Sequence, residues 1–432
     1  MLIIPCDRLK WGPDTAQSPT LLALHTPRRG AGQFSIAGNE AETKPRSLGS
    51  SWLTDHCSGP SAESGKHAPL LGCQNGRMST LSSDYTWPQL TRTLLAGTDL
   101  DPAGVRWAMN EVMQGSASPV ALAGFLIALQ AKGSSVAELR ALADEMVAHS
   151  HSFTAPAGAV DIVGTGGDGA NTVNISTMAS LVIAASGVPV VKHGNRSASS
   201  KSGAADVLEQ LGVRLDLPAR EVAAMVGEVG ITFCFAQVFH PSMRFAAEAR
   251  KGLGVPTVFN ILGPITNPAG VQASAVGVAD PAMAPVIAGV FQQRGTSALV
   301  FRGCDGLDEL TIAEDSQIWE VRGGEIREHH LNPTELLGIN KVPLAALEGG
   351  APDYNAQVAR DLFAGAHSPI RDAVLLNAAA GIVAAEGIGQ AAADGFDERF
   401  ADAFRRAGEV LDSGRPAAVL DEWSSRSQQL MS

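Results

Sequence analysis

The five cysteines of this 432-residue chain, Cys6, Cys57, Cys73, Cys234 and Cys304, form no Cys-x-x-Cys pair. A structural zinc site built on that spacing is therefore excluded, and the cysteines read as reduced thiols. No apolar run approaches the roughly 20 residues that span a bilayer, and the opening MLIIPCDRLK has too short an apolar core for a secretory signal. A cytoplasmic location with no membrane partner is the default expectation. Positive charge is also short: 32 basic against 44 acidic residues give a net charge of -12, so no global field recruits nucleic acid. Any phosphate site must be local. No internal repeat is present.

What the chain has is apolar material, 45% of its residues, enough for two or three domains. Residues 1–77 are the exception, with Pro, Gly and Ser scattered without periodicity. They are expected to form a disordered extension, and Met78, before a capped helix, to be the natural start. Four helical segments follow by residue 150, WPQLTRTLLAG, DPAGVRWAMNEVMQG, SPVALAGFLIALQAKG and SVAELRALADEMVAHS. Each starts near Ser, Asp or Pro, and most end at Gly. Beyond them the short β-branched runs AVDIVG, VPVVKHG, ITFCFA, SAVGVA and ALVFRG alternate with helix-length segments. That alternation predicts an α/β layer with a mainly parallel sheet flanked by helices. The domains expected are helical over 78–150 and α/β over 151–432, with Ala-rich helices from about Asn355.

Two loops carry the chemistry. In DIVGTGGDGANTVNIST, Gly164, Gly166 and Gly169 match the G-x-G-x-x-G dinucleotide fingerprint. The acidic residue that should follow about 20 positions later is missing, since no Asp or Glu lies between Asp168 and Asp206. In its place stands VVKHGNRSASS, with Lys192, His193 and Arg196. Asp168 would repel a bare pyrophosphate unless a metal ion or a ligand hydroxyl intervenes. The hydroxyls and amides of Thr165, Asn171, Thr172, Asn174, Ser176 and Thr177 suit an oxygen-rich ligand, and the helix expected from about Thr177 would favour an anion at its start. The competing reading is a glycine-rich strand-to-helix turn with a capping Asn or Ser.

GTGGD with NTVNIST, KHGNRSASSKSG with AADVLEQLG, HPSMRFAAEARKGLG, VFNILGPITNPAG and DGLDEL, in that order from about Ser83 onward, resemble the anthranilate phosphoribosyltransferases of tryptophan biosynthesis. The resemblance implies a small helical domain, completed by a segment near 240–255, joined to a larger α/β domain with the substrates in the cleft between. It implies transfer of a 5-phosphoribosyl group from phosphoribosyl pyrophosphate to the amine of anthranilate, with Mg2+ and a homodimer formed through the helical domain. Carried over by motif, Gly164 faces both substrates. Gly167, Asp168, Thr172, Asn174, Ile175, Ser176 and Thr177 hold the donor, as do Lys192, His193, Gly194, Asn195, Arg196, Ser197, Ala198, Ser199, Ser200 and Ala204 of the second loop. Asn195 and Arg250 contact the acceptor, and Ser176, Asp308 and Glu309 bind the metal.

Several points qualify that transfer. A guanidinium matches a planar carboxylate with two parallel hydrogen bonds, which favours Arg250 over a surface arginine. Arg244 and Glu248 read as a surface i,i+4 pair. Ala204 replaces a frequent donor-contacting serine, which puts one contact in doubt. His193 is not assigned as a general base, because a histidine at a strand end is more often a shaping or hydrogen-bonding residue. The competing functions are a pyrimidine nucleoside phosphorylase and a nucleic-acid-binding relative of the same fold without transferase activity.

Overall fold

A computed structural model of the protein describes residues 85–197 and 200–430. The expectations for residues 1–77 and for Ala198 and Ser199 lie outside the described residues. The chain opens with α1 (Trp87–Leu95), α2 (Pro102–Met113), α3 (Pro119–Lys132) and α4 (Val136–Ala148). Each starts one residue after an oxygen-bearing side chain, from Thr86, Asp101, Ser118 or Ser135, that accepts a first-turn backbone N–H. Such a cap is worth about 1 kcal/mol, so the helix starts are set by single residues.

The α/β part then runs β1 (Val160–Gly164), α5 (Ile175–Ala185), β2 (Val190–Gly194), α6 (Ala204–Gln210), α7 (Ala219–Val229), β3 (Ile231–Phe235), α8 (Ala236–Phe239) and α9 (Ala247–Leu253). It continues through β4 (Ala273–Gly277), α10 (Ala284–Arg294) and β5 (Ser297–Gly303). A hairpin of β6 (Ser316–Arg322) and β7 (Glu325–Leu331) follows, then α11 (Pro333–Leu337), α12 (Pro352–Phe363), α13 (Pro369–Glu386), α14 (Phe396–Asp412) and α15 (Arg415–Gln429).

The strands form one sheet in the order β3-β2-β1-β4-β5-β6-β7. β1 to β5 are parallel, while β6 and β7 add antiparallel to the β5 edge. From β1 the chain moves outward through β2 to β3, then returns to place β4 on the other side of β1. Strand order therefore reverses between β1 and β4, and in open α/β sheets ligands collect outside the carboxyl ends of strands at such a reversal.

Alternating side chains divide the core between the sheet's two faces. Val160, Ile162, Ala273, Ala275, Leu299 and Phe301 pack in one cluster with α5 and α13 to α15. Val276, Val278, Ala298 and Val300 pack in the other with α1 to α4 and α10. Inside the first cluster, α5 buries Leu181, Val182 and Ile183 completely. A β-carbon at Gly381 of α13 would lie 2.3 Å from Ile183 Cδ1, so the glycine sets how closely the two helices approach.

Cys234 is a buried free thiol. One smaller expectation is corrected. Arg244 forms no ion pair with Glu248; its guanidinium lies over the Phe245 ring at 4.6 Å, a contact that keeps the cation on an aromatic face.

Candidate active site

Gly164 and Gly277 are register partners at the carboxyl ends of β1 and β4. The acidic segment after β5 crosses directly over them. A β-carbon at Gly277 would lie 1.7 Å from the backbone oxygen of Asp308, and one at Gly164 would lie 2.2 Å from Asp308 Oδ2. No side chain fits at either position without moving the segment. Beyond the pair the strands stay joined, as Thr165 N–H donates to Gly277 O at 2.9 Å. The loop then turns through Gly166, Gly167 and Gly169 with φ of 71°, 88° and 72°, and through Asn171 at 52°. This left-handed backbone suits glycine, and asparagine tolerates it.

Asp308 Oδ2 accepts the Gly166 N–H at 2.6 Å, and Glu309 Oε1 accepts the Ser176 N–H at 3.2 Å. The anion-favouring start of α5 thus already faces a carboxylate, which complements the helix dipole. Asp168 folds back to accept the Ala170 N–H at 3.1 Å. Burial, then the neighbouring Glu309 and Asp168, push Asp308 well above the usual carboxylate range. Burial likewise pushes Glu309 up to about 7, against the lowering pull of Lys192 and the Ser176 amide. Three carboxylates therefore converge with too little positive charge around them.

Lys192 does not reach out from the second loop. It is 1% exposed and runs beneath β1, where its ammonium donates to Ile162 O and, at 3.3 Å, to Ser176 Oγ. Burial lowers its pKa, while Asp161, Glu309 and Asp308 oppose that shift. Fully buried Asp161 accepts the His193 N–H at 3.0 Å and the Asn267 amide at 2.8 Å. Burial pushes it up to about 6. His193 is buried too, with Nδ1 2.9 Å from Gly263 O, and burial followed by His240 lowers it to about 3. It is neutral at pH 7 and shapes the floor beneath the loop.

In the second loop, Arg196 is held by Asp206 at 2.7 Å and by Glu209 at 2.6 and 2.8 Å, with its guanidinium 5.5 Å from the Phe235 ring centroid. It is exposed, but its charge is already paired with acids. Asn195 Oδ1 accepts the Arg196 N–H, and Ser197 Oγ pairs with Ser200 Oγ at 2.7 Å. Gly194 sits beneath Ala204, whose β-carbon would be 3.6 Å from an added one. Gly203 is needed for close approach, since a β-carbon there would lie 2.3 Å from Ser197 N.

The loops meet through Asn174. Its side chain makes no cap for α5 and instead donates to Ser202 O at 3.1 Å, so the simple capping reading fails at this residue. Thr172 bridges antiparallel to Glu348. Ile175 is buried, and Thr177 Oγ1 is buried without a hydrogen-bond partner. Arg250 of α9 stands apart: it is half-buried over Phe259 at 5.5 Å, with no ion pair or hydrogen bond to either loop among the described residues. Burial lowers its pKa.

The glycosyl transferase family a/b domain matches residues 157–417, and the helical bundle domain of that family matches residues 88–150. The chain is 54% identical over 349 residues to the anthranilate phosphoribosyltransferase of Arthrobacter sp. (strain FB24), covering 80% of this chain and 97% of that relative. The chain belongs to the anthranilate phosphoribosyltransferase family. It is 52% identical to the family's Thermobifida fusca (strain YX) protein over 346 residues, covering 80% of this chain and 98% of the relative. Among solved structures, that of the anthranilate phosphoribosyltransferase from Thermus thermophilus matches with a TM-score of 0.72 at 40% identity, covering 78% of this chain and 99% of that one. The Saccharomyces cerevisiae anthranilate phosphoribosyltransferase in complex with PRPP and Mg matches with a TM-score of 0.71 at 25% identity, covering 80% and 98%.

For a member of this family, four features of the site escape the motif reading. Gly277 could have been found, because it ends SAVG as Gly164 ends DIVG. The pairing of Asp161 with Asn267 joins residues 106 apart. Asn377 is a lone amide in the apolar helix α13, which holds the acidic segment by accepting from Leu310 N–H at 3.1 Å and donating to Leu310 O at 3.0 Å. Asn355 of α12 donates to Asn174 Oδ1 at 2.8 Å. Neither asparagine lies in a glycine-rich or basic motif.

Proposed function

We propose that the chain transfers the 5-phosphoribosyl group of phosphoribosyl pyrophosphate to the amine of anthranilate, releasing pyrophosphate. The observation that carries this reading is the charge layout at the sheet reversal. Asp168, Asp308 and Glu309 crowd together, while Arg250 is half-buried without a carboxylate. Each side lacks the charge that one reactant would bring: the magnesium ion that accompanies the pyrophosphate donor on one side and the acceptor's carboxylate on the other.

Among the described residues no three His, Cys, Asp or Glu side chains form a ready metal cluster. The oxygens of Ser176, Asp308 and Glu309 nevertheless suit Mg2+, which commonly takes one or two carboxylates and completes its shell with water and substrate phosphate. Crowding that raises Asp308 and Glu309 would be relieved by a cation. Bound Mg2+ would offset the charge that develops on departing pyrophosphate.

Gly164, Gly167, Asp168, Thr172, Asn174 to Thr177, and Lys192 to Ser200 with Ala204, form the donor side in this reading. Lys192 acts from beneath, keeping the acidic cluster and Ser176 in place. Arg196 reaches phosphate only by exchanging Asp206 and Glu209 for it. Gly164, Asn195 and Arg250 receive anthranilate, with Arg250 on its carboxylate. The amine needs no prior deprotonation, so no residue is assigned as base, and positioning supplies most of the rate.

In the same reading residues 78–150 and the segment near 240–255 form the helical domain, and 151–432 the α/β domain. The helical part exposes Leu95 (71%), Val120 (84%) and Ile127 (41%), an apolar surface that supports homodimer formation there. Among the described residues no helix is long and apolar enough to cross a membrane. The deciding experiment follows anthranilate fluorescence with phosphoribosyl pyrophosphate and Mg2+. Consumption that requires both additions is expected; no consumption at any magnesium concentration rejects the reading.

A further inference from the structure

We infer that Asn355, far from both loops in sequence, is a positioning residue that holds them in register with each other. It lies in the first turn of α12 and is 3% exposed. Its amide is fixed at both ends: Oδ1 accepts the Gly350 N–H at 2.8 Å, and Nδ2 donates to Asn174 Oδ1 at 2.8 Å. Because Asn174 Oδ1 must accept, Asn174 Nδ2 is turned toward Ser202 O at 3.1 Å, and Ser202 Oγ donates back to Asn174 Oδ1 at 3.4 Å. One buried amide thus dictates which way the next one faces, and the next one joins the glycine loop to the second loop.

The surrounding backbone supports the same buttress. Val173 N–H donates to Leu347 O at 2.9 Å, and Gly349 N–H donates to Asn171 O at 2.8 Å. A β-carbon at Gly349 would lie 2.6 Å from Thr172 O, so residues 347–350 press directly against the loop. Asn174 is also freed from its expected local task, since its side chain caps nothing in α5. The consequence for donor binding rests on the proposed function; the tether itself does not.

Asn355→Asp keeps the shape and the bond from Gly350 but loses the donor to Asn174. Asn355→Ala loses both. Hydrogen exchange of the segment 200–205 should accelerate in both variants, with Asn174→Ala giving the same acceleration and the double variant Asn174→Ala/Asn355→Ala adding nothing. Calorimetric affinity for phosphoribosyl pyrophosphate should fall about tenfold, the effect of one lost buried hydrogen bond, with KM for anthranilate unchanged. Unaltered exchange in Asn355→Asp, or additive effects in the double variant, would overturn the tether whether or not the wild type turns over. A wild type that binds no phosphoribosyl pyrophosphate, with loosened exchange in the variants, would support the tether and reject the donor reading.

Discussion

The acidic and basic sides of the site are built by opposite means. At the sheet reversal, backbone geometry forces Asp308 and Glu309 into place over two glycines, and their charges accumulate around a single buried lysine. On α9, Arg250 is held loosely, by burial and an aromatic face. The first side tolerates almost no change in shape, whereas the second depends on one functional group. The contrast teaches that removing a charge and adding a methyl should have different signatures on the two sides.

The largest effect is expected from Asp308→Asn combined with Glu309→Gln. Loss of the carboxylates that would hold the Mg2+ offsetting the departing pyrophosphate costs about a hundredfold or more in kcat, and a magnesium titration should shift to higher concentration. An unchanged magnesium dependence would remove these carboxylates from the donor side. Arg250→Ala should raise KM for anthranilate about tenfold to a hundredfold, the loss of a charge-assisted pair, with KM for the donor unaltered. Equal changes in both constants would dissolve the contrast.

Gly277→Ala should destabilise the fold by about 1–3 kcal/mol through overpacking against the Asp308 backbone, read as a lower denaturation midpoint with impaired donor use. An alanine that leaves both untouched would show that the crossing is soft. The floor gives a pH signature. His193 and His240 are lowered to about 3 and about 4, so the unfolded state binds more protons below about 6.5. Their contribution is complete above that pH and is lost as pH falls toward 4. Asp161, raised to about 6, acts oppositely: its contribution is complete below about 3.8 and lost as pH rises through 6. His193→Gln should reduce the acid-side slope of unfolding free energy by about 1 kcal/mol per pH unit. The smallest effect belongs to Arg196→Ala. Its side chain is 41% exposed, so stability should change by under about 1 kcal/mol, while donor affinity reports whether the arginine swings to phosphate.

The helices α1 to α4 and strands β1 to β5 were legible because each carries its own signal: a capping residue, a proline in the first turn, or a short β-branched run. The β6–β7 hairpin carries a weaker local signal. Its outer strand EIREHHL is an edge whose polar side chains mask the alternation, although the Gly323-Gly324 pair between the strands was a turn signal. Candidate site residues that lie inside glycine-rich, basic or acidic motifs, such as Asp168, Asn174 and Asp308, carry a local signal. Their surroundings do not. Lys192 reads as a loop cation in sequence, but its position on a central strand buries it under the site. Gly277, Asn355 and Asn377 act through contacts with distant segments, and no local pattern announces such contacts.

The crossing over Gly164 and Gly277 also bears on redesign. The strand ends are spanned by main chain, which every side chain at 308 or 309 shares. Polar replacements at those two positions can therefore alter the charge of the span without displacing its backbone. A β-carbon on either glycine beneath does the reverse: it leaves the chemical groups intact and moves them out of reach.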